Sequence, residues 1–172
     1  MDAPINFFET FDYSKNIVIC WPVWVGKTHQ ALTLLKKYQW KPEREKAWSY
    51  KISDARFKEL VGSQQMGHRP NDGGSYDRYP LDMLILSDII LFDDIGVTDT
   101  TDAYLRKLTY ILDERAEKWK KHIFTTNLSE QELKTKLNER IVSRIMHNAT
   151  VVVMTWPDRR RDSTSILTYK TQ

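Results

Sequence analysis

The sequence predicts an α/β protein built around a mostly parallel sheet, and three observations carry that expectation. Short apolar runs rich in β-branched residues recur at 16–21, 85–92 and 150–155. Segments with helical spacing of apolar residues lie between them. The runs show no in-out alternation, so both faces of the sheet must be covered by helices. At 172 residues, 41% hydrophobic and 28% charged, residues 1–172 fit one domain able to bury a core without disulfide or metal staples.

The elements follow in order. Residues 1–15 read as an N-terminal extension and 16–21 (Asn-Ile-Val-Ile-Cys-Trp) as a buried strand. Residues 27–38 place Ala31, Leu32, Leu34 and Leu35 among Lys and Gln, a helix. A weaker strand is expected over 47–52, after which Ser53-Asp54 caps a helix carrying Phe57 and Leu60. Residues 62–80 hold four of the six glycines and two of the six prolines, a long flexible loop. Order returns with the apolar run 85–92. Residues 103–119 space Leu105, Leu108, Leu112 and Trp119 as one helix face. Residues 123–126 read as a strand, and Ser129 with Glu132 forms a capping box for the next helix. Residues 150–155 form another buried strand, and 164–169 an edge strand. The six tryptophans are expected mostly in the core.

Composition excludes several classes. Cys20 is the single cysteine, which rules out a disulfide framework or a Cys-rich zinc module. No apolar run approaches the roughly 18–20 residues that cross a bilayer, and Met1-Asp2-Ala3-Pro4 carries no basic-then-apolar leader. A soluble, cytoplasmic, reduced protein with no membrane partner is expected. The net charge of +3 suits a nucleic-acid partner without arguing for one.

The first chemical motif lies between the first strand and the first helix, at Trp21-Pro22-Val23-Trp24-Val25-Gly26-Lys27-Thr28-His29. Gly-Lys-Thr in that context is the end of a phosphate-binding loop, in which backbone N–H groups and a helix N-terminus cradle phosphate oxygens. Lys27 would reach the terminal phosphates and the Thr28 hydroxyl would ligate Mg²⁺. The loop departs from its pattern at Trp21, where glycine is expected, and at Trp24, another position commonly glycine. A tryptophan forced into a left-handed conformation costs roughly 1–2 kcal/mol, so weakened nucleotide binding is expected. An ordinary helix start preceded by two core tryptophans is the alternative.

A second motif, Ile89-Ile90-Leu91-Phe92-Asp93-Asp94-Ile95-Gly96, ends an apolar strand in two carboxylates. Asp93 would hold Mg²⁺ through its water shell, and Asp94 would orient or deprotonate the attacking water. A plain Asp-Asp-x-Gly turn is the alternative. Asn127, after Thr125-Thr126, is placed to hydrogen-bond a γ-phosphate or simply to begin a turn. Arg140 and Arg144 share a helix face, and Arg159, Arg160 and Arg161 follow the last strong strand. In the long loop, His68, Arg69, Tyr76 and Arg78 interleave basic and aromatic groups, a pattern suited to single-stranded DNA.

Together these blocks resemble the DnaC/IstB-like branch of the AAA+ ATPases, the bacterial helicase loaders and transposition helpers. The carrying residues are Val25-Gly26-Lys27-Thr28-His29, Leu91-Phe92-Asp93-Asp94-Ile95-Gly96, Ile111-Leu112-Asp113-Glu114-Arg115, Thr125-Thr126-Asn127-Leu128, Glu139-Arg140-Ile141-Val142-Ser143-Arg144-Ile145 and Trp156-Pro157-Asp158-Arg159-Arg160. The resemblance implies a P-loop NTPase of the RecA-like kind, a three-layer sandwich with a central five-stranded sheet and a minimal or absent lid. It implies ATP and Mg²⁺ as cofactors, Pro22–His29 as the nucleotide loop, and hydrolysis to ADP and phosphate. Asp94 and Asn127 would be the catalytic acid and γ-phosphate sensor, Arg144 an arginine finger acting in trans, and Arg160 a second sensor acting in cis. A finger in trans implies a homo-oligomer, a ring or open helix, working on single-stranded DNA, a replicative helicase or a transposase. Three readings stay open at this point: a replication accessory ATPase or its transposition counterpart, a non-catalytic binding module of the same fold, and a small-molecule kinase.

Overall fold

The structure, a computed structural model, describes residues 14–20, 27–39, 47–65, 80–155 and 166–171. Six strands form one sheet: β1 (Asn16–Cys20), β2 (Ser49–Ser53), β3 (Ile89–Asp93), β4 (Lys121–Thr126), β5 (Ala149–Thr155) and β6 (Ile166–Thr171). Their order is β2-β3-β4-β1-β5-β6. The first five are parallel, as expected, and β6 joins β5 antiparallel as the outer strand. The helices are α1 (Lys27–Gln39), α2 (Asp54–Gln65), α3 (Pro80–Leu86), α4 (Asp102–Glu117), α5 (Glu130–Leu137) and α6 (Glu139–Met146).

Alternate residues of the same apolar strands serve two cores. Ile17, Ile19, Ile89, Leu91 and Ile123 pack with Leu34, Leu35 and Tyr38 of α1. Val18, Ile90, Phe92 and Phe124 face the other way, onto Phe57, Leu84, Tyr104, Leu108, Leu112, Leu133 and Ile141 from the remaining helices. This is why the runs read as continuously apolar: each residue is buried whichever side it points to. The result is the expected three-layer sandwich.

Local capping follows the sequence. Ser53 Oγ accepts from the Arg56 N–H at 3.3 Å. Ser129 and Glu132 complete a reciprocal capping box on α5. Asn138, at φ 68°, ends α5 and accepts from the Ile141 N–H to start α6. Between them these caps turn the chain sharply enough to lay two eight-residue helices against one core.

Several expectations need correction. The apolar run 85–92 is not one strand, because Ile85 and Leu86 finish α3 and a turn at Ser87-Asp88 precedes β3. Buried Arg115 explains the break: its guanidinium donates to the carbonyls of Leu84 (2.6 Å), Ser87 (2.8 Å), Asp88 (3.4 Å) and Lys121, tying the end of α3 to the starts of β3 and β4. The expected loop 62–80 does not hold at its ends, since Gly62 lies inside α2 and Pro80 opens α3; residues 66–79 lie outside the described residues. Trp119 is not on the core face of α4; it sits past the helix end at φ 55° and is 84% exposed. Trp48, at 45%, is exposed as well, so neither tryptophan among the described residues belongs to the core.

His122 on β4 is fully enclosed, edge-on to Phe124 with ring centroids 4.8 Å apart, and its Nε2 meets the Ile145 carbonyl at 3.3 Å. Burial above all, then the positive charge of Arg115, lowers its pKa from 6.5 to about 3. The unfolded chain therefore binds one more proton than the folded chain between those values. Stability is fully present above pH 6.5 and is lost as the pH falls toward 3, with a slope of up to about 1.4 kcal/mol per pH unit from this group. Urea midpoints measured from about pH 7.5 to 4.5 should fall for the wild-type chain and fall less steeply for His122→Leu.

Candidate nucleotide site

The candidate residues converge on the carboxyl ends of β1, β3 and β4. Neighbours β1 and β4 send their outgoing connections in opposite directions, β1 toward β2 and β4 toward β5. The crevice above such a pair is where open α/β sheets bind ligands. Lys27 and Thr28 open α1, the helix that follows β1. Asp93 ends β3, and Asn127 follows the last residue of β4.

Asp93 is the centre of the arrangement and is 6% exposed. Its Oδ1 accepts from Thr28 Oγ1 at 3.0 Å and from Thr125 Oγ1 at 2.8 Å. Its Oδ2 accepts from Thr28 Oγ1 at 3.2 Å and pairs with Lys51 Nζ at 3.0 Å. Thr125 does a second job, since its Oγ1 accepts the Asp94 N–H at 2.8 Å. The Ile95 N–H bonds the Thr125 carbonyl, and Thr126 Oγ1 returns a bond to the Ile95 carbonyl. The turn after β3 is therefore fixed to β4 at three points.

That turn has unusual backbone. Asp94 lies at φ 58° and Gly96 at φ 84°. Aspartate tolerates the left-handed region better than most residues, and it turns out of the strand direction there. At Gly96 the constraint is double, because an added Cβ would lie 2.9 Å from Leu128 Cδ1 and 3.2 Å from Leu133 Cδ2. Asp-Asp-Ile-Gly is thus a turn, as one of the two readings of the motif expects, and it leaves both carboxylates beside the start of α1.

Lys27 is 6% exposed and donates from Nζ to Asn127 Oδ1. Burial lowers its pKa, and the carboxylates of Asp94 and Asp93 oppose that shift. Asp94 moves the other way: burial and then the Asp93 charge raise its carboxyl above the ordinary range. A half-buried carboxyl tuned upward beside a fixed carboxylate suits an acceptor of protons from water. The first turn of α1 carries no acidic residue, so no carboxylate within it competes with an anion for the positive end of the helix.

The donor set fits a Mg²⁺-bound nucleotide. A hydroxyl and a carboxylate in contact supply hard oxygens, and Mg²⁺ is commonly held by one or two carboxylates with phosphates and water completing its shell. Lys27 and the helix end supply positive charge beside them.

Other expected residues lie elsewhere. His29 is exposed on the first turn of α1 and accepts from Thr33 Oγ1 through its carbonyl. Arg140 is exposed on α6. Arg144 is turned to its own chain: Nε and Nη2 form a fork on the Asp113 carboxylate of α4, and Nη1 donates to the Arg140 carbonyl at 3.2 Å. Trp21, Pro22, Val23, Trp24, Val25 and Gly26 of the loop, His68, Arg69, Tyr76 and Arg78, and Arg159, Arg160 and Arg161 lie outside the described residues.

Sequence reasoning missed Lys51, on the weak edge strand β2, and the double role of Thr125. A hydroxyl one residue from the carboxyl end of β4 was the available signal for Thr125. For Lys51 there was none, because its partner is 42 residues away on a neighbouring strand. Also missed was Asp54, buried at the start of α2, which accepts from Tyr104 Oη and from the Thr98 N–H and Oγ1, the last two at 2.8 Å. It anchors the far end of the segment that begins at Asp94.

Removing the shared hydroxyl tests this geometry. Thr125→Val leaves the Asp94 N–H without its acceptor and Asp93 short of one donor, a cost of about 1–3 kcal/mol. Urea unfolding should show that loss, whereas Thr135→Val, whose exposed hydroxyl bonds only the Gln131 carbonyl of its own helix, should stay within about 0.5 kcal/mol.

No curated protein matches the chain. Solved structures do. The DnaC helicase loader superposes with a TM-score of 0.64 at 25% identity, over 86% of this chain and 83% of that one. DnaI gives 0.63 at 19%, over 87% and 79%. AMPPCP-bound DnaA from Aquifex aeolicus gives 0.66 at 18%, over 86% of this chain but only 43% of that one, so the likeness is to one part of a longer protein. The family model for the IstB-like ATP binding proteins matches residues 3–165. With a phosphate-type helix start, an acidic strand end and an asparagine gathered at one sheet edge, the chain belongs to the IstB-like ATP binding protein family of the DnaC/IstB-like AAA+ ATPases.

Proposed function

We propose that this chain binds ATP with Mg²⁺ and hydrolyses it to ADP and phosphate, as a DnaC-like accessory protein of DNA replication that works as an oligomer on a helicase or single-stranded DNA. One observation carries the reading: adjacent residues at the start of α1 reach both strand ends, Lys27 bonding Asn127 after β4 and Thr28 bonding Asp93 at the end of β3. Family membership and the DnaC likeness support ATP binding and a replication role.

Lys27 and the α1 N-terminus hold the β- and γ-phosphates, with residues 23–26 supplying backbone N–H groups. Thr28 and Asp93 would hold the metal, which would supply positive charge against the phosphates. Asp94 orients the attacking water and takes its proton. Asn127 releases Lys27 to the phosphates and turns its amide to the γ-phosphate or the water. Arg144 serves a neighbouring subunit's nucleotide, and Arg160 the chain's own. Residues 66–79, with His68, Arg69, Tyr76 and Arg78, contact single-stranded DNA. The IstB-like family match makes a transposase the second candidate partner; the DnaC likeness over most of both chains favours a helicase.

Calorimetric titration with ATP and Mg²⁺ tests binding, and absence of saturable binding would leave only a scaffold of this fold. Lys27→Ala should weaken binding about ten- to a hundredfold, the worth of a hydrogen bond from a charged group. Asp94→Asn should keep binding within about threefold and lose hydrolysis. Arg144→Ala should lower hydrolysis by about a thousandfold. Mixing the Asp94→Asn and Arg144→Ala chains should restore part of the rate, because some interfaces then pair an intact Asp94 with an intact Arg144. A mixture that stays inactive would argue against a finger acting in trans.

A further inference from the structure

The Asp93 carboxylate is nearly filled by donors from its own chain. Its two oxygens offer about four acceptor positions. Thr28, whose one hydroxyl proton is shared between the two oxygens, Thr125 on Oδ1 and Lys51 on Oδ2 fill three of them. A hydrated cation bonding this group through two or more of its waters needs more than the one position left, and its charge is repelled by an ammonium already there. Thr125 is fully enclosed and holds the Asp94 N–H as well, so moving it would unmake the turn. Thr28 moves only from carboxylate to metal. Lys51 is different: its side chain is 38% exposed, it hangs from the outermost parallel strand, and solvent is open to it.

Lys51 also supplies the charge that Asp93 faces in the fold. Lys27 points to Asn127, so among the described residues the ammonium on the Asp93 carboxylate is that of Lys51. Register puts Lys51 opposite Leu91, two residues before Asp93, and the long stem spans that offset diagonally along the sheet edge.

We propose that Lys51 is an exchangeable counter-ion of Asp93, displaced when hydrated Mg²⁺ arrives, and that it sets the Mg²⁺ concentration at which nucleotide is held tightly. This rests on the nucleotide-site reading above and adds a residue that tunes its metal dependence. Removing the ammonium removes a competitor, so the metal is held at lower concentration. Replacing it with another cation preserves the competition.

ADP binding measured by calorimetry across a series of free Mg²⁺ concentrations tests this. Lys51→Met should lower the Mg²⁺ midpoint by about two- to fivefold, the scale of a partly exposed ion pair. Lys51→Arg should keep the midpoint at or above the wild-type value. ADP affinity in EDTA should change less than about twofold in either variant, since Lys51 touches the carboxylate and not the nucleotide. In an Asp93→Asn background the Lys51→Met effect should vanish. A midpoint that stays put or rises in Lys51→Met overturns the proposal. So does a loss of ADP affinity in EDTA of about tenfold, which would make Lys51 a phosphate ligand. A shift that persists in the Asp93→Asn background also overturns it, since Lys51 would then act as a general field. If the wild-type chain shows no saturable ADP binding at any Mg²⁺ concentration, the nucleotide reading falls first and this role with it. Saturable binding with an unmoved midpoint removes Lys51 alone. Circular dichroism and urea midpoints confirm that each variant is folded.

Discussion

The carboxylate of Asp93 is the point on which the upper half of this molecule turns. It ends a strand buried on both faces, and a charge there is tolerable only if fully hydrogen-bonded. The donors come from α1, β2 and β4, so satisfying one side chain draws four elements together at one edge of the sheet. Thr125 extends that control to the next residue by capping the Asp94 N–H. The same network that stabilises the buried charge also gathers the residues proposed above to meet the nucleotide. One set of hydrogen bonds thus fixes the fold at this edge and the geometry that the proposal uses.

The opposite edge is built on inverse logic. Arg115, 1% exposed, has carbonyl oxygens as its partners, where Asp93 has hydroxyls and an ammonium. Desolvation lowers its pKa to about 10, still far above neutrality, so it stays charged. It satisfies the carbonyls left open where α3 ends, and so sets the distance between α3, β3 and β4 from below. A buried cation at the amino ends and a buried anion at the carboxyl ends hold β3 and β4 in place between them. His122 lies close enough to Arg115 to feel its charge and is kept neutral.

Much of this was legible because it is local or periodic. Apolar runs without alternation announced a doubly covered parallel sheet, and Ile17/Val18 and Ile90/Leu91 facing opposite cores confirm the reason. Gly-Lys-Thr and Asp-Asp-Ile-Gly were legible because their chemistry is carried by neighbours in sequence. The boundary at Leu86 was not legible: apolarity alone does not separate the end of a helix from the start of a strand, and the cause of the break is an arginine 29 residues further on. Lys51 and Asp54 were hidden for the same reason. Their partners, Asp93 and Tyr104, are brought to them by strand order and helix packing, neither of which leaves a mark beside them in the sequence. Trp119 misled because its spacing continues the helix face that the backbone has already left at Lys118.

The pairing of Arg144 with Asp113 bears on how such a chain would work in company. A guanidinium forked on a carboxylate is held in both position and plane, and this pair is partly exposed, with side chains 27% and 40% accessible. That is enough order to keep the arginine from wandering and enough solvent for a stronger anion to compete. A triphosphate on an adjoining subunit carries more charge than one aspartate, so transfer of the fork from Asp113 to phosphate would be favoured only when a loaded neighbour is present. The helices involved are firmly placed: α6 is pinned at its start by Asn138 and buries Ile141, Val142 and Ile145, while α4 buries Leu108, Ile111 and Leu112. Only the long arginine side chain needs to move, while the helix that aims it stays fixed. An arginine waiting on its own chain's aspartate is therefore compatible with a finger in trans, and it would tie hydrolysis to assembly through a local exchange of partners.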